Sequence, residues 1–285
     1  MRILVVGAGT MGAGIAQACL AAGHEVSLHD AHEEAVTAAR AVIADGLGRA
    51  AAKDRLDGRD PDDLLGALRL EGGAAASAAA DADVVIEAVA EDAGVKARVW
   101  SELGAAAPAG ALLSSNTSSL SITGLAAASG RPERFCGLHF FNPVAVLPLV
   151  EVVRGEETPE GVMEEAEGFA CGLGKTPIRC LDRPGFLVNR LLIPYLNEAA
   201  NLADEAVAEP AAIDQAMRLG ANMPIGPLAL ADLVGLDVVL AVMESLHEEL
   251  GDPRYRPAPA LRRKVRAGRL GRKSGRGFHD YGGEA

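Results

Sequence analysis

The hydrophobic pattern divides the chain into an α/β part and an all-helical part. Four short apolar segments, at residues 2–6, 25–29, 83–89 and 111–113, are typical of strands, and helical spacing follows several of them. Strands that alternate with helices indicate a parallel sheet covered by helices. Beyond Pro184 the pattern is helical only, over 188–206, 210–219 and 228–250. We therefore predict an α/β domain at residues 1–183 and an all-α domain at 184–285.

A helical hairpin interrupts the strand rhythm after the second strand. One long helical stretch runs to Lys53, and a short one follows with Asp60 as its predicted N-cap. An insertion at this place is available to reach over a substrate. It carries a small basic cluster, Arg49, Lys53 and Arg55, which is either a solvated helix face or a site for an anionic substrate handle.

Residues 137–153 form a second pattern, in which two short apolar segments flank a loop bounded by prolines. If the segments fold back as a hairpin centred near Ala145, His139 lies opposite Glu151. Directly opposed residues have Cβ atoms roughly 4.5–5.5 Å apart, which brings a carboxylate to an imidazole. A histidine held by a carboxylate is suited to act as a general base near neutral pH. The alternative is a core hairpin with one satisfied histidine and one edge glutamate.

The first strand runs into a glycine-rich turn, GAGTMG at residues 7–12, and then into a helix. In such a turn Gly7 permits the bend, Gly9 lets the backbone approach a pyrophosphate, and Gly12 lets the helix pack closely on its strand. The helix N-terminus then faces the pyrophosphate. Asp30 ends the second strand, roughly 20 residues on, where a carboxylate can bind the ribose hydroxyls. No Arg or Lys follows closely, so the turn favours NAD over NADP; a glycine turn of another α/β fold is the alternative.

Composition excludes several classes of function. The chain has 285 residues, a net charge of −12 and an apolar fraction of 49%. An acidic protein of this kind is not expected to bind nucleic acid or an anionic membrane, although residues 262–276 carry many basic side chains, which we interpret as a solvated face. Neither a transmembrane segment nor a signal peptide is visible. The four cysteines show no metal-ligand spacing and are expected to be reduced thiols, most of them buried, in a cytoplasm.

Polar side chains follow two of the predicted strands. Glu91 comes just after the strand at 83–89, and SSNTSS at 114–119 follows the next strand. Ligands in open α/β sheets bind beyond the carboxyl ends of the strands. The hydroxyl run is either a loop with a helix N-cap, or a site in which Ser118 donates to a substrate oxygen and Asn116 orients the nicotinamide ribose.

Together these blocks resemble the L-3-hydroxyacyl-CoA dehydrogenase family, which includes 3-hydroxybutyryl-CoA dehydrogenases. The resemblance covers essentially the whole chain. It rests on six ordered blocks: GAGTMGAGIAQ at 7–17, SNTSS at 115–119, GLHFFNP at 137–143, LVEVV at 149–153, PGFLVNRLL at 184–192 and IGPLALADLVGLD at 225–237. It implies a Rossmann-type NAD-binding domain with a helical-hairpin insertion, followed by an all-α C-terminal domain that forms the substrate cleft and a homodimer.

The resemblance also implies site residues and their roles. Catalysis is assigned to His139 as base, Glu151 as its orienting carboxylate, Ser118 and Asn189. Besides the turn residues Gly7, Ala8, Gly9, Thr10, Met11 and Gly12 and besides Asp30, the cofactor contacts are Glu91, Lys96, Asn116, Asn142 and Lys273. Substrate contacts are Ser118, Asn142, Asn189 and Lys53. No metal is implied. The reaction is NAD-dependent oxidation of a 3-hydroxyacyl-CoA, of short chain such as 3-hydroxybutyryl-CoA, to the 3-oxoacyl-CoA, in fatty-acid or butanoate metabolism.

One departure from the family pattern concerns the substrate handle. The family's helical insertion offers a serine and, further along, a lysine to CoA. The lysine is present as Lys53, but the serine position is Gly46. The loss of one donor is worth about 1 kcal/mol. It leaves open a related dehydrogenase of a non-CoA substrate such as L-gulonate or carnitine, and, in another class, a non-catalytic NAD-binding protein like a lens crystallin.

Overall fold

The structure, a computed structural model, describes residues 1–282 and contains two compact units. The first extends from Met1 to Arg183 and the second begins at Pro184. Each unit has a hydrophobic core of its own. The first core packs helices against a sheet, whereas the second is made by helices, with Leu196, Leu228 and Leu236 fully buried.

The first unit is organised around one eight-stranded sheet in the order β3-β2-β1-β4-β5-β6-β7-β8. Its strands are β1 (Arg2–Val6), β2 (Glu25–His29), β3 (Leu68–Glu71), β4 (Val84–Glu87), β5 (Leu112–Ser115), β6 (Phe135–Phe140), β7 (Leu149–Arg154) and β8 (Thr176–Leu181). Strands β1 to β6 are parallel, β7 is antiparallel to β6, and β8 is parallel to β7. The carboxyl ends of β1, β4, β5 and β6 therefore lie along one edge of the sheet.

Seven helices belong to this described unit: α1 (Thr10–Ala21), α2 (Glu33–Ala51), α3 (Pro61–Gly66), α4 (Ala75–Ala79), α5 (Ala93–Ala106), α6 (Ile122–Ser129) and α7 (Glu160–Gly172). The predicted helical hairpin is α2 and α3. Asp60 is the N-cap of α3, as predicted, because its carboxylate accepts from the backbone N–H groups of Asp62 and Asp63. The long helix ends at Ala51 rather than at Lys53. The predicted Rossmann fold class is confirmed.

Two strands of the sheet, β3 and β8, were not predicted. Both are polar or exposed along much of their length, with Arg69 and Glu71 in β3 and Thr176 and Arg179 in β8. They form the two edges of the sheet, where one side has no neighbouring strand to bury it. An edge strand carries polar residues in a pattern that resembles a loop, so the hydrophobic pattern does not indicate it.

The second unit contains α8 (Val188–Asp204), α9 (Pro210–Gly220), α10 (Pro227–Val234), α11 (Leu236–Leu250) and α12 (Pro259–Arg266). The single helix predicted over 228–250 is wrong, because the chain breaks between α10 and α11. Gly235 has φ of +104°, a conformation that glycine adopts readily and that ends a right-handed helix. The apolar residues continue on both sides of the break, so periodicity alone did not show it.

The cysteines only partly follow the sequence expectation. All four are free thiols, but only Cys19 and Cys136 are buried, and Cys171 is exposed. Burial raises the pKa of Cys19 to about 12 and that of Cys136 to about 12, which keeps both protonated at neutral pH. Among residues 1–282, no helix has both the length and the apolar character that a membrane span requires.

Candidate active site

His139 and Glu151 form a buried pair between β6 and β7. The two residues are directly opposed in the antiparallel register, so the hairpin prediction is confirmed. His139 Nδ1 and Glu151 Oε2 are 2.6 Å apart, with the histidine 6% and the glutamate 0% exposed. A carboxylate can only accept a hydrogen bond, so it selects the imidazole tautomer with a proton on Nδ1. That tautomer carries its lone pair on Nε2, which is the form a general base requires.

The carboxyl end of β4 carries a second buried carboxylate, Glu87, which sequence reasoning missed. It accepts hydrogen bonds from Lys96 Nζ at 2.5 Å, from Ser115 Oγ at 2.7 Å and from the Val89 N–H at 2.8 Å. Trp100 Nε1 also donates to it, at 3.3 Å. Burial of a charge is costly unless it is paired, and these donors meet that requirement. The available signal was an acid at the end of a continuous apolar strand.

Lys96 connects Glu87 to Glu91. Its side chain is 1% exposed, and its ammonium lies 2.5 Å from Glu87 Oε1 and 3.3 Å from Glu91 Oε2. Its predicted contact with the cofactor stays a prediction. The structure adds that this ammonium already balances two carboxylates at the edge of the sheet where β4 and β5 end.

Glu91 holds the hydroxyl-rich loop that follows β5. Its Oε1 accepts from Thr117 Oγ1 at 2.6 Å, from the Ser118 N–H at 2.9 Å and from Ser119 Oγ at 3.0 Å. Burial acts to raise the pKa of Glu91, but Lys96 and these hydrogen bonds act against it, and the pKa is lowered overall. Glu91 is therefore ionised at neutral pH and keeps the loop that carries Ser118 in place.

Two asparagines stand at the same edge of the sheet. Asn116 follows β5, and its Oδ1 accepts from the Phe140 N–H at 2.9 Å, which ties the end of β5 to the end of β6 beside His139. Asn142 is exposed and forms the cis peptide bond with Pro143. The structure thus brings Asn116, Glu91 and the loop of Ser118 together, while their contacts to a cofactor stay predictions.

The glycine turn has the shape that a dinucleotide requires. Gly7 has φ of +107°, and a Cβ on it would lie 2.5 Å from the Ala88 carbonyl oxygen. A Cβ on Gly12 would lie 1.7 Å from the Gly7 carbonyl oxygen, so α1 packs directly on the turn. Gly9, by contrast, faces open space at the start of α1. Backbone at Gly9 can therefore approach a pyrophosphate, and the residues present fit the NAD that the turn indicates.

Asp30 closes the turn from the end of β2. Its Oδ2 accepts from the Ala8 N–H at 2.8 Å, and its Oδ1 accepts from the His32 N–H at 3.0 Å. The carboxylate is thereby fixed beside the glycine turn, where it would meet the adenosine ribose. That contact stays a prediction.

A groove of about 660 Å³ lies within the first unit, along the flank of α1. Its other walls are α2, residues 53–59 beyond that helix, the loop 142–148 and residues 171–175. Five basic side chains line it: Arg49, Lys53, Arg55, Arg59 and Lys175. Some of these charges are already paired, since Arg49 binds Asp45 and Arg59 contacts Asp57. Asp57 also lines the groove, so five basic side chains accompany one carboxylate, and the groove keeps the positive charge that an anionic handle would need.

Lys175 shapes one wall of this groove and was not singled out from the sequence. Its ammonium donates to the carbonyl oxygens of Val144 and Leu147, the latter at 3.0 Å, and so holds the loop 142–148. Burial lowers the pKa of Lys175.

Two predicted site residues belong to the second unit. Asn189 lies in the first turn of α8. Lys273 lies in a short 3₁₀ turn and forms an ion pair with Asp237, with 2.6 Å between Nζ and Oδ1. The roles of both residues toward substrate and cofactor stay predictions.

The fold and the glycine turn together define an NAD-binding protein, and the family match defines it as an oxidoreductase. Residues 2–183 match the family described as 3-hydroxyacyl-CoA dehydrogenase, NAD binding domain, and residues 185–281 match 3-hydroxyacyl-CoA dehydrogenase, C-terminal domain. The chain belongs to the 3-hydroxyacyl-CoA dehydrogenase family. The resemblance, the enzyme class and the NAD cofactor predicted from the sequence are thus confirmed.

Individual relatives match along their whole length. A probable 3-hydroxybutyryl-CoA dehydrogenase of Deinococcus radiodurans is 47% identical, over 99% of this chain and 100% of that protein. The 3-hydroxybutyryl-CoA dehydrogenase of Bradyrhizobium diazoefficiens is 44% identical, over 99% and 96%. Among solved structures, the (S)-3-hydroxybutyryl-CoA dehydrogenase of Ralstonia eutropha superposes with a TM-score of 0.93 at 44% identity and covers 98% of each chain.

Substitution of two glycines in the turn should separate cofactor binding from folding. Gly9→Ala places a methyl group in open space, so we expect an unchanged melting temperature but weaker NADH binding. Gly12→Ala forces α1 away from the Gly7 carbonyl, so we expect a loss of about 1–3 kcal/mol in the free energy of unfolding as well. Thermal melting and NADH fluorescence titration measure the two effects. Wild-type NADH affinity in Gly9→Ala would contradict this assignment of the turn.

Proposed function

We propose that the protein oxidises an L-3-hydroxyacyl-CoA of short chain, such as 3-hydroxybutyryl-CoA, to the 3-oxoacyl-CoA, with NAD as hydride acceptor. The observation that carries the proposal is the buried pair of His139 and Glu151, in the same sheet as β1, the strand that leads into the glycine turn. His139 lies near the carboxyl end of β6, and the glycine turn follows the carboxyl end of β1, a parallel strand of the same sheet. Ligands of α/β sheets bind at these ends. The names of the full-length relatives support the same substrate.

The basic groove supports CoA as the handle. CoA carries phosphate groups along an extended chain, and five cations line a groove of about 660 Å³. Carnitine carries a fixed positive charge, which such a groove would repel. L-gulonate is anionic, so the groove would not repel it, but it is far smaller than the groove. It is therefore the second candidate substrate.

In this proposal the side chains of the site transfer a single proton. The 3-hydroxyl of the substrate donates its proton to His139 Nε2 as the C3–H bond breaks. Glu151 then lies 2.6 Å from a charged imidazolium and stabilises it, as the carboxylate of a triad does. NAD, when bound, supplies the carbon that receives the hydride from C3. In the reverse direction the imidazolium returns the proton to the alkoxide.

Ser118 and Asn189 complete the proposed constellation as donors to substrate oxygens. Glu91 accepts a hydrogen bond from the Ser118 N–H and another from Ser118 Oγ at 3.3 Å, so the loop is held, and the hydroxyl turns from this carboxylate to donate to a substrate oxygen. Holding a reacting carbon against its acceptor removes much of the entropy cost of the reaction. Asn189 enters this scheme only through the resemblance.

A comparison of three substrates tests the function. NADH formation, followed by its absorbance, should be rapid with 3-hydroxybutyryl-CoA and far slower with L-gulonate or L-carnitine at equal concentrations. We expect this order because only the CoA thioester matches the charge and the length of the groove. Faster oxidation of L-gulonate would replace the proposed substrate, and activity with none of the three would contradict the proposal.

Substitutions in the buried pair test the roles of its members. His139→Ala removes the base and should lower kcat by about 100-fold or more. Glu151→Gln presents an amide to the imidazole and permits the wrong tautomer, so a loss of similar order is expected. Both variants should still bind NADH. Glu156→Gln, an exposed carboxylate just beyond β7, is the matched control. Near-normal kcat in His139→Ala would remove this residue from the role of base.

We also propose that the chain forms a homodimer through its second unit. Its helices carry large exposed apolar side chains, including Leu191 at 77%, Leu219 at 78% and Leu233 at 53% exposed. Exposed apolar surface of this kind is typical of an interface. Light scattering should give twice the chain mass, and Leu191→Glu should lower it. A monomeric wild-type protein at micromolar concentration would refute the proposal.

A further inference from the structure

The side chain of Gln17 lies where a side chain at position 46 would be. Gln17 projects from α1 and Gly46 lies buried within α2. A Cβ on Gly46 would be 2.2 Å from Gln17 Oε1 and 2.8 Å from Nε2. Glycine within a helix costs roughly 0.5–1 kcal/mol relative to alanine. At this position it lets the whole amide of Gln17 rest directly on the backbone of α2.

This amide lies on the wall of the basic groove. Gln17 and Gly46 both line the groove, together with Arg49 on α2 and Lys53 just beyond the end of α2. Residues three apart on a helix share a face, so Gly46 and Arg49 lie on the same side of α2. An anionic ligand in the groove would therefore meet the amide as well as the two cations, Arg49 and Lys53. An amide NH₂ group is a donor that phosphate oxygens accept.

We propose that Gln17 is a specificity-determining residue for the phosphate-bearing handle of the substrate, and that Gly46 is required to keep its amide in the groove. Gln17 Nε2 donates a hydrogen bond to the handle. The inference rests on the proposed function, since the handle is that of a CoA thioester. The sequence suggests that Gly46 simply removes a donor from α2. In this proposal Gln17 on α1 supplies the donor instead.

Gly46→Ala provides the central test. The new methyl group displaces the amide of Gln17, which can turn away because it ends a flexible side chain. Alanine is also the better helix former, so the melting temperature should stay level or rise. We expect KM for 3-hydroxybutyryl-CoA to rise about tenfold with kcat unchanged, as for the loss of one hydrogen bond to a charged group. Gly48→Ala is the matched control, because Gly48 lies on the same helix and a Cβ on it would have open space around it.

A double-mutant cycle then identifies Gln17 as the cause. Gln17→Ala alone should raise KM by a similar factor, and the double variant Gln17→Ala with Gly46→Ala should be no worse than either single variant. Gln17→Glu should raise KM further, since it brings a carboxylate toward an anionic handle. With the pantetheine thioester of 3-hydroxybutyrate, which lacks the nucleotide, KM should be the same in all variants.

Several results would overturn this inference. If the increases in KM multiply in the double variant, the two residues act independently of each other. If a substitution raises KM equally for both thioesters, Gln17 has only a packing role. An unchanged KM in Gln17→Ala, with wild-type enzyme active on 3-hydroxybutyryl-CoA, would refute the role of Gln17 and leave the proposed function intact. Calorimetric titration with CoA alone extends the test to an inactive enzyme: wild-type protein that neither turns over the thioester nor binds CoA would refute both proposals.

Discussion

The contact between His139 and Glu151 determines more than the chemistry of the site. Strands β6 and β7 are buried along nearly their whole length, so hydrophobic burial alone does not distinguish one register of the hairpin from another. A shift of one residue would turn the Glu151 carboxylate away from the imidazole and leave a buried charge unpaired. Such an unpaired charge costs about 3–5 kcal/mol. The same interaction that orients the proposed base therefore also selects the pairing of the two strands.

Buried charge is handled in a similar way at the end of β4. Glu87 and Glu91 would repel each other without Lys96, whose ammonium lies between them. Glu91 Oε1 is then available to accept hydrogen bonds from residues 117–119. Hydrogen bonds to the ionised Glu91 thus hold the loop that carries Ser118. A held loop of this kind presents its hydroxyl groups with little entropy left to lose when a ligand binds.

What could be predicted from the sequence depended on whether the signal was local. The glycine turn and the pairing of His139 with Glu151 are set by neighbours in the chain, and both are found in the structure. Strands β3 and β8 were not predicted, because edge strands lack a full apolar face. The contact of Gln17 with Gly46 was not predicted, because the hydrophobic periodicity of a helix does not show which residues of another helix pack against it. Gly46 could therefore be interpreted only as a missing donor.

Helix α1 relates the cofactor turn to the groove. Its first turn begins at Gly9, where NAD fits, while its flank, from Thr10 through Gln17 to Ala21, forms the floor of the groove. Apart from Gln17, that flank is built from small residues, and a Cβ on Gly14 would already lie 3.0 Å from the side chain of Val144. Larger residues would push the loop 142–148 outward or fill the groove. The close packing around α1 thus leaves Gly9 open to the NAD cofactor. It also leaves space beside the helix for the proposed CoA handle of the substrate.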